Sequence, residues 1–155
     1  MQENVEKNEN VKGGLMVVDN KVEENVTIKT TLDLNNEDDV DLIINNVNGQ
    51  CDHLLIDFVE KEINVVNVYT TTRKEEVYDD DTGELVNRYN HVTILFDDNN
   101  ESYVSGSNAV YRSLNTILMF KGLPSKENPI KMKAIRVDAK EKGHQYLQLT
   151  IAKQK

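Results

Sequence analysis

The sequence predicts a mainly β fold with helices: a five-stranded barrel with one helix between its third and fourth strands, preceded by an N-terminal strand and helix. Three observations carry this. Ile63 to Thr72 and Leu85 to Phe96 are rich in Val, Tyr and Thr, residues that fill a pleated surface, and the polar turn Asp79-Asp80-Asp81-Thr82-Gly83 lies between them. Val110, Leu114, Ile117 and Leu118 share one helical face. Ile130 to Ala134 and then Leu147, Leu149 and Ile151 alternate with period two, as half-buried strands do.

The elements follow in order. Residues 1–26, rich in Asn, Glu and Lys around Gly13-Gly14, read either as a flexible polar leader or as a short strand on a neighbour or second subunit. From there residues 27–155 form one domain. Ile28, Leu32 and Leu34 suggest a short strand. Asn35 or Asn36 then stands where a helix N-cap belongs, and Glu37, Asp38 and Asp39 favour the positive end of that helix. Val40, Ile43, Ile44 and Val47 lie on one face, and Gly49 ends the helix. Leu54 to Val59 is an apolar run of strand type. After the two long strands, Asp97 to Asn100 turns the chain into a third strand, Ser102 to Ser105. Ser105 or Ser107 caps the helix that follows, and Gly122 with Pro124 closes it. Lys142-Gly143 turns the final hairpin. Three strands, a helix and two strands is the order of the OB barrel, whose sheet face and loops bind oligonucleotides in many of its members.

A chain of 155 residues is long enough to bury a core without cross-links, and the single Cys51 has no partner for a disulfide or a zinc site. A reducing, intracellular setting is the expectation. Met1 to Asn10 is polar, unlike a signal peptide, and no apolar run approaches the roughly 20 residues of a membrane helix. Charge is segregated: residues 1–100 carry 8 Lys/Arg against 23 Asp/Glu, whereas residues 101–155 carry 10 against 4. The formal net charge of −9 opposes a polyanionic partner at long range, but a cationic face on the folded chain can still hold one.

Enzymatic chemistry finds little support. His53, His91 and His144 are far apart with no paired spacing. Placing Gly83 at the turn position of a calcium loop puts Tyr78 where the first carboxylate is required. Gly122-Leu123-Pro124-Ser125-Lys126 lacks the glycine and lysine order of a phosphate loop. No catalytic residue, metal or cofactor is therefore expected.

Binding residues are better represented. Tyr69, Tyr78, Tyr89, Tyr103 and Tyr146 fall in strands or at their ends, where each either offers a platform to a nucleobase or fills the core. Arg73, Lys74, Arg88, Lys131, Lys133 and Arg136 lie near them, as cations for a phosphate backbone or as a solvated strand face. In the strand from Ile130, the two lysines lie opposite Ile130, Met132 and Ala134.

Ile63-Asn64-Val65-Val66-Asn67-Val68, Thr82-Gly83-Glu84, Val92-Thr93-Ile94-Leu95-Phe96-Asp97 and Ser102-Tyr103-Val104-Ser105-Gly106-Ser107 follow one another in an order that resembles the single-stranded DNA-binding proteins of tailed bacteriophages. The likeness continues through Ser113-Leu114, Lys121-Gly122-Leu123-Pro124, Pro129-Ile130-Lys131-Met132-Lys133 and Lys142-Gly143-His144-Gln145-Tyr146-Leu147, so that it spans residues 60–152. The resemblance implies an OB fold, DNA binding without sequence preference and protection of single strands during phage replication in the bacterial cytoplasm. Tyr69, Tyr78 and Tyr103 are the stacking residues it favours, with Tyr89 and Tyr146 behind them. Residues 1–26, polar, extended in character and outside the matched region, are the expected element for self-association or for contacts with partners such as replication proteins. Single-strand binders of bacteria end in an acidic tail, whereas this sequence ends Lys153-Gln154-Lys155.

Two other classes compete. An acidic protein-binding or DNA-mimicking module would use Asp38, Asp39, Asp41 and Asp79 to Asp81 against a replication or host-defence protein, and a metal-dependent nuclease would need those carboxylates to converge.

Overall fold

The computed structural model describes the backbone at residues 8–12 and 15–19, and the full chain at residues 25–141 and 143–152. Lys142, the C-terminal lysines and the rest of the leader lie outside the described residues. Among the described residues the fold is mainly β: one curled mixed sheet, a half-barrel, with two α-helices.

Within the leader, β1 (Asn8–Lys12) and β2 (Leu15–Asp19) are antiparallel strands, and β2 pairs with β3 (Val26–Thr30). Helix α1 (Glu37–Val47) follows, and the Asn36 side chain caps it by accepting from the Asp38 and Asp39 N–H groups. Next come β4 (His53–Leu54), the long β5 (Glu62–Tyr78) and β6 (Leu85–Asp97), and the short β7 (Ser102–Ser105). Helix α2 (Asn108–Lys121) starts at Ser107, whose Oγ accepts from Val110 N. It stops at Gly122, where a φ of 81° favours glycine and the N–H reaches Leu118 O at 3.0 Å. The final hairpin joins β8 (Ile130–Asp138) to β9 (Gln145–Ile151).

Nine strands are present among the described residues, where a five-stranded barrel and one N-terminal strand are expected, because β1 and β2 of the leader and the short β4 also enter the sheet. The Leu54 to Val59 run is a second correction. Of its residues only Leu54 belongs to a strand; Leu55–Phe58 winds into a 3₁₀ turn, and Val59 makes an isolated parallel bridge to Ala134. Its burial explains why: Leu55 is buried and Phe58 half-buried three positions later, while Ile56 and Asp57 face solvent.

β5 organises the sheet. One edge pairs with β6 along nearly its whole length, and the other is shared, with β8 at Glu62 to Val65 and β3 at Tyr69 to Arg73. A bulge between Val65 and Asn67 shifts the register, so the inward-facing positions change from odd to even numbers. Ile63, Val65 and then Val68 consequently point into one core, which α2 covers with Val110, Leu114 and Ile117. Tyr69, pointing the other way, joins Leu32, Ile94 and Phe96 in a smaller core beneath Leu42 and Ile43 of α1. The two helices thus cover opposite faces of one sheet.

Helix α2 also meets β9 by hydrogen bonds. Leu149 N donates to Ser113 Oγ at 2.9 Å, and Ser107 Oγ donates to the Leu147 carbonyl at 2.8 Å. Side chains from a helix here satisfy groups of the β9 edge that a further strand would otherwise pair.

Candidate functional site

Alternation fixes what the β5–β6 hairpin presents on the α2 side. Thr70, Thr72, Lys74 and Tyr78 of β5 share that face, opposite Thr93, His91, Tyr89 and Leu85 of β6. Lys29, in register with Thr70, joins them from β3. Helix α2 adds Tyr111, whose ring lies flat on His91 with centroids 3.8 Å apart and planes 3° from parallel. Thr72 Oγ1 meets His91 Nδ1 at 2.9 Å, and Lys29 Nζ donates to Tyr111 Oη at 3.5 Å.

Electrostatics confirm that cations converge here. Burial lowers the pKa of His91 and the positive charges of Arg112 and Lys29 lower it further, so the imidazole is neutral at neutral pH. At Tyr111 burial pushes the phenol up, but hydrogen bonds with Thr72, Asn115 and Lys29, together with the Lys29 charge, outweigh it and the pKa falls.

Arg112 borders a second feature, an open groove of about 710 Å³ between α2 and β9. Asn108, Thr116, Gln148 and Thr150 line it with polar groups, and Tyr146 stands at its wall, 40 % exposed. Exposed Tyr78 and Tyr89, Lys74 and the His91–Tyr111 pair therefore share one face of the sheet, and Arg112 links it to the groove whose wall carries Tyr146, on the outward face of β9.

Two of the favoured stacking residues are not on it. Tyr69 is 3 % exposed, and its hydroxyl accepts from Thr71 Oγ1 at 2.8 Å. Burial pushes its phenol up, partly offset by that bond. Tyr103 is also buried, packed edge-on to Phe58 and stacked with His53, and its hydroxyl donates to Asp97 Oδ2 at 2.8 Å. Its pKa is strongly raised, first by burial and then by the Asp97 carboxylate. Both rings were misassigned because their hydroxyls find partners inside the protein, which lets a tyrosine serve as core.

The cations divide as well. Lys74 lies beside the exposed tyrosines, and Arg136 shares the inner face of β8 with the core positions. Arg73 and Arg88 occupy the opposite face of the hairpin, where Arg88 stands across from Glu75. Lys131 and Lys133 point outward from β8, and Lys133 Nζ pairs with Glu60 Oε2 at 3.3 Å. Lys131 and Lys133 share the outward face of the β8–β9 hairpin with Tyr146, but since neighbouring strand residues alternate faces none of these four lies on the Tyr78–Tyr89 surface. Lys29, His91, Tyr111 and Arg112, which do lie on it, carry no local signal. Their proximity depends on contacts among β3, β6 and α2.

Several acidic side chains serve their own turns. Asp39 Oδ2 accepts from Asp33 N at 2.8 Å, and Asp79 Oδ1 accepts from Asp81 N at 2.8 Å and Thr82 N at 3.0 Å. Those backbone donors hold the Asp79 carboxyl below its usual pKa. Among the described residues, no three His, Cys, Asp or Glu side chains gather as a metal site would require. No described helix is long and apolar enough to cross a membrane.

No family model, curated protein or solved structure matches the chain.

Proposed function

We propose that the protein binds single-stranded DNA without sequence preference, in the manner of phage replication proteins, on an OB-like half-barrel. The observation that carries this reading is the inner surface on which Lys29, Lys74 and Arg112 lie among Tyr89 and the His91–Tyr111 pair, with Tyr146 across the groove that Arg112 borders. Aromatic platforms spaced by cations suit a flexible strand, whose bases offer flat faces and whose backbone offers one charge per nucleotide. Tyr89 and His91, two residues apart on β6, stand about 7 Å from one another along the strand. The strand order β9-β8-β5-β6-β7, with α2 between β7 and β8 in sequence, supports the OB assignment. In this assignment α2, through Ser107 and Ser113, takes the place of direct pairing between β7 and β9.

The test is a titration with a short oligo-dT at several salt concentrations, followed by tyrosine fluorescence. Binding that weakens as salt rises is expected. Tyr89→Ala should cost about 1–3 kcal/mol of affinity, and Lys74→Ala should flatten the salt dependence by roughly 0.7 in log–log slope. Absence of binding at low salt would overturn the proposal.

A further inference from the structure

On the binding face of the β5–β6 hairpin the facing pairs form a ladder. Thr72 stands opposite His91, Lys74 opposite Tyr89, and Tyr78 opposite Leu85. One more rung lies between the last two, Glu76 opposite Asn87. Successive rungs on one face are two residues apart, about 7 Å along the strand, so Glu76 has Tyr78 on one side and the Lys74–Tyr89 rung on the other. Both Glu76 and Asn87 are exposed. Facing side chains of an antiparallel pair start about 5 Å apart, so this carboxylate and this amide reach the same ligand. Among the described residues, no hydrogen bond or ion pair engages either of them.

A carboxylate at this place cannot hold a phosphate, because the two charges repel. It only accepts hydrogen bonds, and the part of a nucleic acid strand that donates them is the base edge. With tyrosine rings on both sides to stack on, the edge of a base is what Glu76 meets. Cytosine, adenine and guanine each carry an exocyclic amino group that donates to such a carboxylate, whereas thymine carries carbonyl oxygens on both sides of its ring N–H and sets negative partial charge against it. We infer that Glu76 selects, at one nucleotide of the bound strand, a base with an exocyclic amino group over thymine, with Asn87 donating to the ring nitrogen beside that group. The inference rests on the proposed function and adds to it a bias at a single position. Stacking and phosphate contacts elsewhere stay indifferent to sequence.

The test compares two short strands of equal length, oligo-dT and an oligonucleotide of deoxycytidine methylated at the same ring carbon as thymine. Both are pyrimidines of one shape, and they differ at the exocyclic amino group and the ring nitrogen next to it. Affinities are read in mildly alkaline buffer by displacement of a labelled strand. The wild-type chain should bind the methylated cytosine strand about fivefold or more tighter. Glu76→Gln should bring that ratio close to one, since an amide both accepts and donates, and should tighten binding of oligo-dT by removing a negative charge from the strand's path. Glu75→Gln, which removes a neighbouring charge from the other face of the hairpin, should leave the ratio as it is in the wild-type chain. Equal wild-type affinities for the two strands would overturn the inference while leaving DNA binding in place. So would a ratio that survives Glu76→Gln, or one that Glu75→Gln closes equally. Failure of both strands to bind would overturn the DNA-binding reading and the inference with it.

Discussion

Tyr103 Oη donates a 2.8 Å hydrogen bond to Oδ2 of Asp97, six residues earlier and on the far side of the turn between β6 and β7. The other oxygen of that carboxylate accepts from Asn99 N at 2.8 Å and Glu101 N at 2.9 Å. Asp97 is only 6 % exposed, so the three donors replace the water that a buried carboxylate would otherwise keep. The turn and the aromatic core beneath it are therefore one unit.

Tyr103→Phe keeps the ring and removes the donor, leaving Asp97 Oδ2 without that partner. Loss of a hydrogen bond to a charged group costs about 1.5–3 kcal/mol. Urea unfolding should show that loss of stability, while the folded variant should retain wild-type affinity for oligo-dT. A selective loss of DNA affinity would instead place the Tyr103 hydroxyl at the DNA.

A second prediction concerns His91. Its pKa in the folded protein is lowered by burial and by Arg112 and Lys29. Above the unfolded value of about 6.5 both states are neutral at this site. As pH falls below that value the unfolded chain takes up a proton that the folded ring resists, so the folded state loses stability until the lowered folded pKa is passed. Thermal melts across that interval should decline less steeply for His91→Gln than for the wild-type chain. Equal slopes would remove His91 as the cause.

The third lies at the join between α2 and β9. Ser113 Oγ accepts from Leu149 N at 2.9 Å and donates to Ala109 O at 2.6 Å. Ser113→Ala leaves the Leu149 N–H beside the core without an acceptor, and Leu149 itself is 2 % exposed. The expected cost is about 1–3 kcal/mol. Hydrogen exchange at Leu149 N should accelerate in the variant, and unchanged protection would show that β9 does not depend on the helix.

What the sequence determined by itself is local. Richness in Val, Tyr and Thr located β5 and β6, period-two alternation located β8 and β9, the Val110, Leu114, Ile117 and Leu118 spacing located α2, and Asn36 and Ser107 stand at the helix starts where side-chain caps are expected. Each of these depends on neighbours within a few residues, which is all that periodicity and capping require. Tertiary structure decided which way the aromatic and charged groups face. The bulge at Val65–Asn67 changes the inward parity of β5, sending Tyr69 into the α1 core while Lys74 and Tyr78 face the other way. Asp97 draws Tyr103 inside, and α2 brings Tyr111 onto His91, twenty positions away in sequence. A tyrosine or a cation looks the same in sequence whether it faces a core, a neighbour or solvent. Only strand register and helix docking settle which it meets.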